Sequence, residues 1–549
     1  MVLIFRTGAA QNITLQISGG TVAESSVIDS VGYPKSFESV KAARDAAGLL
    51  QETLRKSGYV AASGSWLESP APTSLLYRIT LGKKVAALHI YIGSENRSRF
   101  FPEIETDTLV IPYADASKVL ENFLSRIERK GYAMARLSLS EIRQSGSVLF
   151  SRLNIDPGQP RTIQDVIING YEKFPEGHRR QLARTFKSRP FSKDGLNKIF
   201  EEINRFRFVT QTRYPEVLFT DDSTKVFVYV EKAKANRFDG FVGLFNNESE
   251  DGGRVRLNGY LDLQLTNILN SGEQFSLFWK SDGNDQKTFN ASIDLPYIFK
   301  SRFALRAGLS IFRQDSTFQN TRTHLAAGYL FDYGMRSYLG YEATESSDIQ
   351  NQTTASLSDF TSRFVTGTFD LVRFQEDDFL FPEKTNIQFK TGLGSRTSKL
   401  ETSNQWTLDA SAMHNFYLDR KNVVNVRSRA FYLKSDTYLV SELYRFGGVY
   451  SIRGFNENVL QANLAGMLLT EYRYLLTPGL YAHSIIDYGW MRDETRIEQK
   501  NSSLLAFGFG FGFLSGNGLF NLIYANGSMN DQSIELRNSI VHISFKSRF

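Results

Sequence analysis

The chain has no cysteine among its 549 residues. No disulfide can staple it, and no thiolate can hold a metal. Tryptophan is scarce, with four, and histidine nearly so, with six. Those histidines, at 89, 178, 324, 414, 483 and 542, fall in no metal-ligand spacing. No uninterrupted apolar run approaches the roughly 18 residues that a transmembrane helix needs, so any membrane crossing must be made by strands. Charge of one sign is also lacking: 64 Lys and Arg stand against 58 Asp and Glu, a net +6. The small basic excess is not gathered into the stripe with stacking aromatics that a nucleic-acid groove requires. Gly508-x-Gly510-x-Gly512 lies in an alternating segment rather than before a helix, so it is not a dinucleotide loop. No nucleophile is placed with a base. These absences speak against an enzyme, a cofactor, a metal site and a nucleic-acid partner.

Aromatics are abundant. Phe (43) and Tyr (25) bring the aromatic share to 13% in a chain whose mean hydropathy is only −0.29. The first 235 or so residues contain a repeat. A periodic helix leads each time to a Gly-aromatic or aromatic mark. Leu49, Leu50 and Leu54 lead to Gly58-Tyr59. Leu120, Phe123, Leu124 and Ile127 lead to Gly131-Tyr132, and Leu196, Ile199, Phe200 and Ile203 lead to Phe206. The marks recur about every 73 to 75 residues, as in a tandem module. Each copy reads strand, helix, helix, strand, strand, with the helical apolar residues as core. The expected modules span 12–83, 84–160 and 161–234; residues 1–11 read as a leader remnant or tag, lacking the full apolar region of a secretory signal. Exposed sheet edges of such modules can accept an added strand.

From Arg237 helical spacing gives way to alternation. Phe303, Leu305, Ala307, Leu309 and Ile311 oppose Arg302, Arg306, Gly308 and Ser310. Phe507, Phe509, Phe511 and Phe513 oppose Gly508, Gly510 and Gly512. Sixteen such segments start near residues 237, 254, 273, 287, 301, 318, 333, 356, 384, 404, 422, 463, 480, 503, 518 and 538. An even number of alternating strands suits a closed antiparallel barrel in lipid, where every edge must be paired. Sixteen strands leave an aqueous interior, so polar inward residues need no protein partner. A Phe-Gly-Phe face in water would be an aggregation site; against lipid it is ordinary. The expected fold is therefore three α+β modules followed by a 16-stranded transmembrane β-barrel over 236–549, with a long connection at 436–462.

That connection carries Ile452-Arg453-Gly454-Phe455. It precedes a strand with Glu471 and Arg473 on one face and a second strand with Asp487 and Gly489. In this order the chain resembles the BamA/TamA superfamily of outer-membrane assembly and translocation proteins. Residues 452–455 resemble its Val-Arg-Gly-Phe/Tyr loop motif, with Ile for Val. Thr470-Glu471-Tyr472-Arg473-Tyr474 resembles its strand-12 pattern, and Ile485-Ile486-Asp487-Tyr488-Gly489 its Phe-x-Asp-x-Gly pattern, with Ile for Phe. The modules resemble POTRA domains, and their number is that of TamA-like members; two-partner exporters usually carry two and BamA five. The terminal Phe549 resembles the end of a barrel-targeting signal, with Ser547 breaking its apolar series.

The resemblance implies an outer-membrane barrel with its modules in the periplasm. Its partners would be unfolded outer-membrane or secreted clients, periplasmic chaperones or accessory lipoproteins, and outer-membrane lipid. It implies that Arg453 folds back inside the barrel to meet Asp487, with Glu471 a further candidate, through a guanidinium fork suited to bidentate carboxylate pairing. Gly454 would let the loop pass close to the wall. The seam between first and last strands, with Gly240, Gly243, Phe545 and Phe549, is expected to open sideways, because glycine weakens pairing. The function expected first is insertion of barrel proteins. The alternative is export of one dedicated protein through the lumen.

Overall fold

The computed structural model describes residues 12–69, 71, 73–221, 223–247, 254–281, 286–314, 317–350, 357–375, 378, 380–498, 500–516, 518–530 and 539–548. The leader expected at 1–11 and the terminal Phe549 lie outside these residues.

The first module runs β1 (Ile13–Gly19), α1 (Val22–Val31), β2 (Ser36–Phe37), α2 (Val40–Lys56), β3 (Ser63–Leu67) and β4 (Ser74–Thr80). Thr21 and Glu24 start α1 with a reciprocal capping box, which satisfies two of the helix's free amide groups. Helix α2 turns Ala43, Ala47, Leu50 and Leu54 onto β1 and β4; Leu15, Ile17, Ile28 and Ile79 complete the buried core. Leu49, expected in that core, faces solvent at 64% exposure. It lies about 100° round the helix from Leu50, outside the apolar stripe.

The second module runs β5 (Ala87–Tyr91), α3 (Ser94–Phe100), β6 (Thr108–Pro112), α4 (Ala116–Arg129), β7 (Arg136–Ser145) and β8 (Val148–Asp156). The third runs β9 (Asp165–Asn169), α5 (Glu176–Phe186), α6 (Lys193–Asn204), β10 (Val209–Phe219) and β11 (Thr224–Lys232). Sheet orders are β2-β1-β4-β3, β6-β5-β8-β7 and β10-β11-β9. In each, the first and last strands of the module pair in parallel. Two modules thus contain an edge strand, β2 or β6, that the five-element reading lacks. Two and five residues are too few to show a period of two.

The chain forms two compact units. One holds the first two modules, and the other holds most of the third together with the barrel.

The barrel strands are β12 (Arg237–Asn247), β13 (Arg254–Thr266), β14 (Gln274–Ser281), β15 (Lys287–Leu295), β16 (Phe303–Gln314), β17 (Phe318–Asp332), β18 (Met335–Asp348), β19 (Phe360–Phe374), β20 (Glu383–Ser398), β21 (Thr402–Tyr417) and β22 (Asn422–Lys434). Then come β23 (Tyr444–Phe446) and β24 (Leu460–Ala462), which pair only with each other inside the long connection. The barrel resumes with β25 (Leu464–Thr477), β26 (Leu480–Arg492), β27 (Asn501–Ser515), β28 (Gly518–Met529) and β29 (Ile540–Arg548). Sixteen antiparallel strands close into one ring. Each starts within a few residues of the position that alternation marks.

The pleat sorts the side chains as expected. Leu468, Tyr472 and Tyr474 on β25, Ile486, Tyr488 and Trp490 on β26, and Phe507, Phe509, Phe511 and Phe513 on β27 point outward and are exposed. The inward glycines of β27 leave room for rings of β26: a Cβ on Gly510 would stand 2.4 Å from His483 Nε2, and one on Gly512 2.1 Å from Tyr481 Cε1. Among the described residues no helix is long and apolar enough to cross a membrane; the crossing is by strands.

Within the second unit, α5 packs on the turns at one end of the barrel. His178 is fully buried, with its ring 4.7 Å from Tyr297 and 5.0 Å from Phe206 between centroids. Gln181 Nε2 donates to Lys300 O at 2.8 Å.

Candidate functional site

The connection between β22 and β25 folds into the barrel. Its tip is Ile452–Phe455. Arg453 is fully buried and meets two inward carboxylates, as the resemblance implied. Its amide N and Nε donate to Asp487 Oδ2 at 3.1 and 2.8 Å, and Nη2 donates to Asp487 Oδ1. Its Nη1 donates to Glu471 Oε1, and Nη2 also reaches Thr470 O at 3.3 Å. The planar fork therefore grips Asp487 side-on and uses its remaining edge on Glu471. Asp487 is fully buried and Glu471 5% exposed.

Alternation places both carboxylates. Glu471 sits on the inward face of β25 and Asp487 on that of β26. The register Thr470↔Ile486 sets them diagonally across the strand pair.

Glu471 gathers more cations. Arg473 Nε donates to its Oε2 at 2.7 Å, and Arg427 Nη2 on β22 donates to its Oε1 at 2.9 Å. Three guanidinium groups thus face two carboxylates, leaving one positive charge in excess. Arg473 turns elsewhere for its other contacts; it lies over the Phe381 ring at 4.3 Å and donates to Asn415 Oδ1 at 3.1 Å. Its place is beside the carboxylate that holds Arg453.

The flanking motif residues act through packing. Ile452 is fully buried in a cluster with Phe446, Met467, Leu469, Met491 and Leu504. Gly489 makes space for it: a Cβ there would stand 3.1 Å from Ile452 Cδ1. Gly454 has φ +78°, a conformation that favours glycine. A Cβ on it would fall 2.4 Å from the backbone N of Gly527 on β28. Phe455 lies against Gly527 in turn.

The lumen here is packed rather than open. The wet interior expected from strand number alone is filled along β25–β28 by the connection itself. The inward carboxylates Glu471 and Asp487 are accordingly paired by protein. A further ion pair, Lys280 on β14 with Glu457, holds the far limb.

Of the residues expected at the seam, Gly240, Gly243 and Phe545 fall on its strands but not at its pairing, and Phe549 lies outside the described residues. Among the described residues, strands β12 and β29 are in register at Arg237↔Arg548 and Phe238↔Ser547. Gly240 and Gly243 lie farther along β12, opposite Leu261 and Asn258 of β13. Phe545 stands opposite Phe520 of β28 and is exposed.

Among the described residues no three His, Cys, Asp or Glu side chains are grouped to hold a metal. Arg427 and Gly527 are site residues that sequence reading missed. Arg427 is one of many inward arginines, and Gly527 follows Asn526, a pair that reads as a hairpin turn.

A family model described as haemolysin secretion/activation protein ShlB/FhaC/HecB matches residues 382–513, from β20 through most of β27, with the inward connection between. The fold matches solved structures of CdiB. CdiB from Escherichia coli is 16% identical over 91% of this chain and 96% of its own, with a TM-score of 0.52. CdiB from Acinetobacter baumannii is 12% identical over 83% and 87%, with a TM-score of 0.53. The chain has the BamA/TamA-superfamily fold. Its closed ring of sixteen strands with an apolar outer face is built to span a membrane. No curated protein sequence matches the chain.

Proposed function

We propose that this protein inserts client β-strands into the outer membrane through the seam between β12 and β29. The observation that carries this is the inequality of the two edges of β12. Eleven residues of β12 are in register with β13, from Arg237↔Gln264 to Asn247↔Arg254. Among the described residues, two are in register with β29. Each unpaired strand edge in the ring is a template for an incoming strand, and a two-pair ladder is the least costly place to open it. The edge strands of the three periplasmic modules, β2 and β3, β6 and β7, β10 and β9, would receive clients first, delivered by chaperones or accessory lipoproteins. The Arg453 grip would hold the loop tip against β28, the neighbour of the seam strand β29.

The test exploits the absence of cysteine. Phe238→Cys with Ser547→Cys places one disulfide across the seam. In liposomes, the reduced protein should speed folding of an unrelated outer-membrane barrel, and the oxidised protein should not. Insertion that survives locking would sink the lateral route.

A second reading is export of a dedicated protein through the lumen. It is favoured by the match to the haemolysin secretion/activation family and by the CdiB fold. An exporter would pass its partner with the seam locked, show conductance when the tip leaves the lumen, and leave unrelated barrels to fold unaided.

A further inference from the structure

The two largest fully buried side chains among the described residues are both arginines, Arg396 and Arg453. They hold the same connection in opposite senses. Arg453 reaches from the tip to the wall. Arg396 reaches from the wall, on β20, to the root.

The root is Thr437–Glu442. Arg396 Nη1 donates to Glu442 Oε1 at 2.6 Å and to Thr437 O at 3.3 Å. Its Nη2 donates to Thr437 Oγ1 at 2.7 Å, to Glu401 Oε1 at 2.8 Å and to Ser403 Oγ at 3.3 Å. Gln405 Nε2 on β21 takes the other Glu442 oxygen at 2.7 Å. Asn320 Nδ2 on β17 donates to Ser441 O at 2.6 Å. Glu442 also folds the root on itself, accepting from Leu439 N at 2.8 Å. Three barrel strands thus converge on six residues of the connection. Leu439, Ser441 and Leu443 are buried there.

Beyond the root, β23 and β24 pair over three residues and close the neck of the tip. Gly447 and Gly448 follow at once, with φ +120° and +91°. Two successive glycines in this region form a joint that other residues adopt only at a cost. The tip therefore lies between a fixed neck and its own anchor at Asp487.

We propose that Arg396 is a positioning residue that pins the root as a pivot, so that the tip leaves the wall about Gly447–Gly448 while root and neck stay in place. Release of Arg453 then swings only the segment from Gly447 to Val459 out of the lumen. The span that moves is set by two arginines rather than one. This holds for either the insertion or the export reading.

Labelling of single cysteines tests it, in the full chain reconstituted in lipid vesicles and without any client. Its outcome is therefore separate from that of the folding assay. Ser451→Cys reports the tip and Ser441→Cys the root; both serines are buried and cysteine nearly matches their size. Heat-dependent gel migration shows that each variant forms the barrel. With a water-soluble maleimide both sites should react slowly in the parent. Arg453→Ala should speed position 451 on the order of tenfold or more and leave 441 within about twofold, because a lost buried partner opens only what it held. Arg396→Met should speed position 441. Arg396→Lys, which keeps the charge but loses the fork, should fall between Met and the parent. If Arg396→Met does not form the barrel, Glu442→Gln at the same pair serves in its place. A root that stays closed in Arg396→Met, or that opens as far as the tip in Arg453→Ala, would overturn the pivot.

Discussion

Gly454 of the inward loop and Gly527 of β28 meet backbone to backbone, so that neither has space for a side chain. A Cβ on Gly454 would stand 2.4 Å from Gly527 N; one on Gly527 would stand 2.7 Å from Gly454 O and 2.6 Å from Phe455 Cε2. The contact is neutral and carries no hydrogen-bonding side chain. It sets how deeply the tip seats, and hence whether Arg453 reaches Asp487.

Gly527→Val should therefore unseat the tip without removing a charge. We expect client folding or export to fall to the level of Arg453→Ala, with barrel migration on gels unchanged. Activity near that of the parent would show that the tip tolerates a shift of several ångströms.

Arg453→Ala should lower activity more than folding. Both partners are fully buried, so the relevant scale is the roughly 3–5 kcal/mol of a buried pair broken on one side, not the 0–1 of an exposed pair. That loss falls on the loop, while the sixteen-strand ladder is untouched. A double-mutant cycle with Asp487→Asn should show strong non-additivity in activity. Additive losses would mean that the two residues act apart.

Gly489→Ala should be mild and Gly489→Leu severe. The nearest atom to an added Cβ is Ile452 Cδ1 at 3.1 Å, the end of a flexible side chain, so one methyl needs a shift of only a few tenths of an ångström. A leucine must displace Ile452 from its cluster. Labelling at Ser451→Cys, slow in the alanine variant and fast in the leucine variant, is the measurement.

Packing of the third module on the barrel should weaken in acid. Burial, with Arg336 nearby, pushes the His178 imidazole down to about 3 from an ordinary value near 6.5. The lowered value means the folded form holds it neutral while the unfolded form protonates. Stability is then fully present above about pH 6.5 and falls as the pH drops toward 3, by about 1.4 kcal/mol per unit. Protease sensitivity of α5 should rise from pH 7 to pH 4.5. His178→Phe, which keeps the ring among Tyr297, Phe206 and Phe208, should remove that dependence. A pH profile unchanged by the substitution would assign it to other groups.

The sequence by itself determined the barrel. Alternation with a period of two leaves its mark on every strand of eight residues or more, and lipid forces the outward face to be apolar. Glu471 and Asp487 are inward for the same reason. The two shortest edge strands, β2 and β6, left no such mark. The pairing of Arg453 was legible only through its motif, since its partners lie 18 and 34 residues away. Tertiary structure alone decided that the lumen is filled rather than wet, because a loop's path is set by what it packs on and not by its own pattern. It also decided the parts played by Gly527, Arg427 and Arg396. Each is a common residue in an ordinary strand until the inward connection is laid against it; closeness between a loop and a distant strand is encoded in no local spacing.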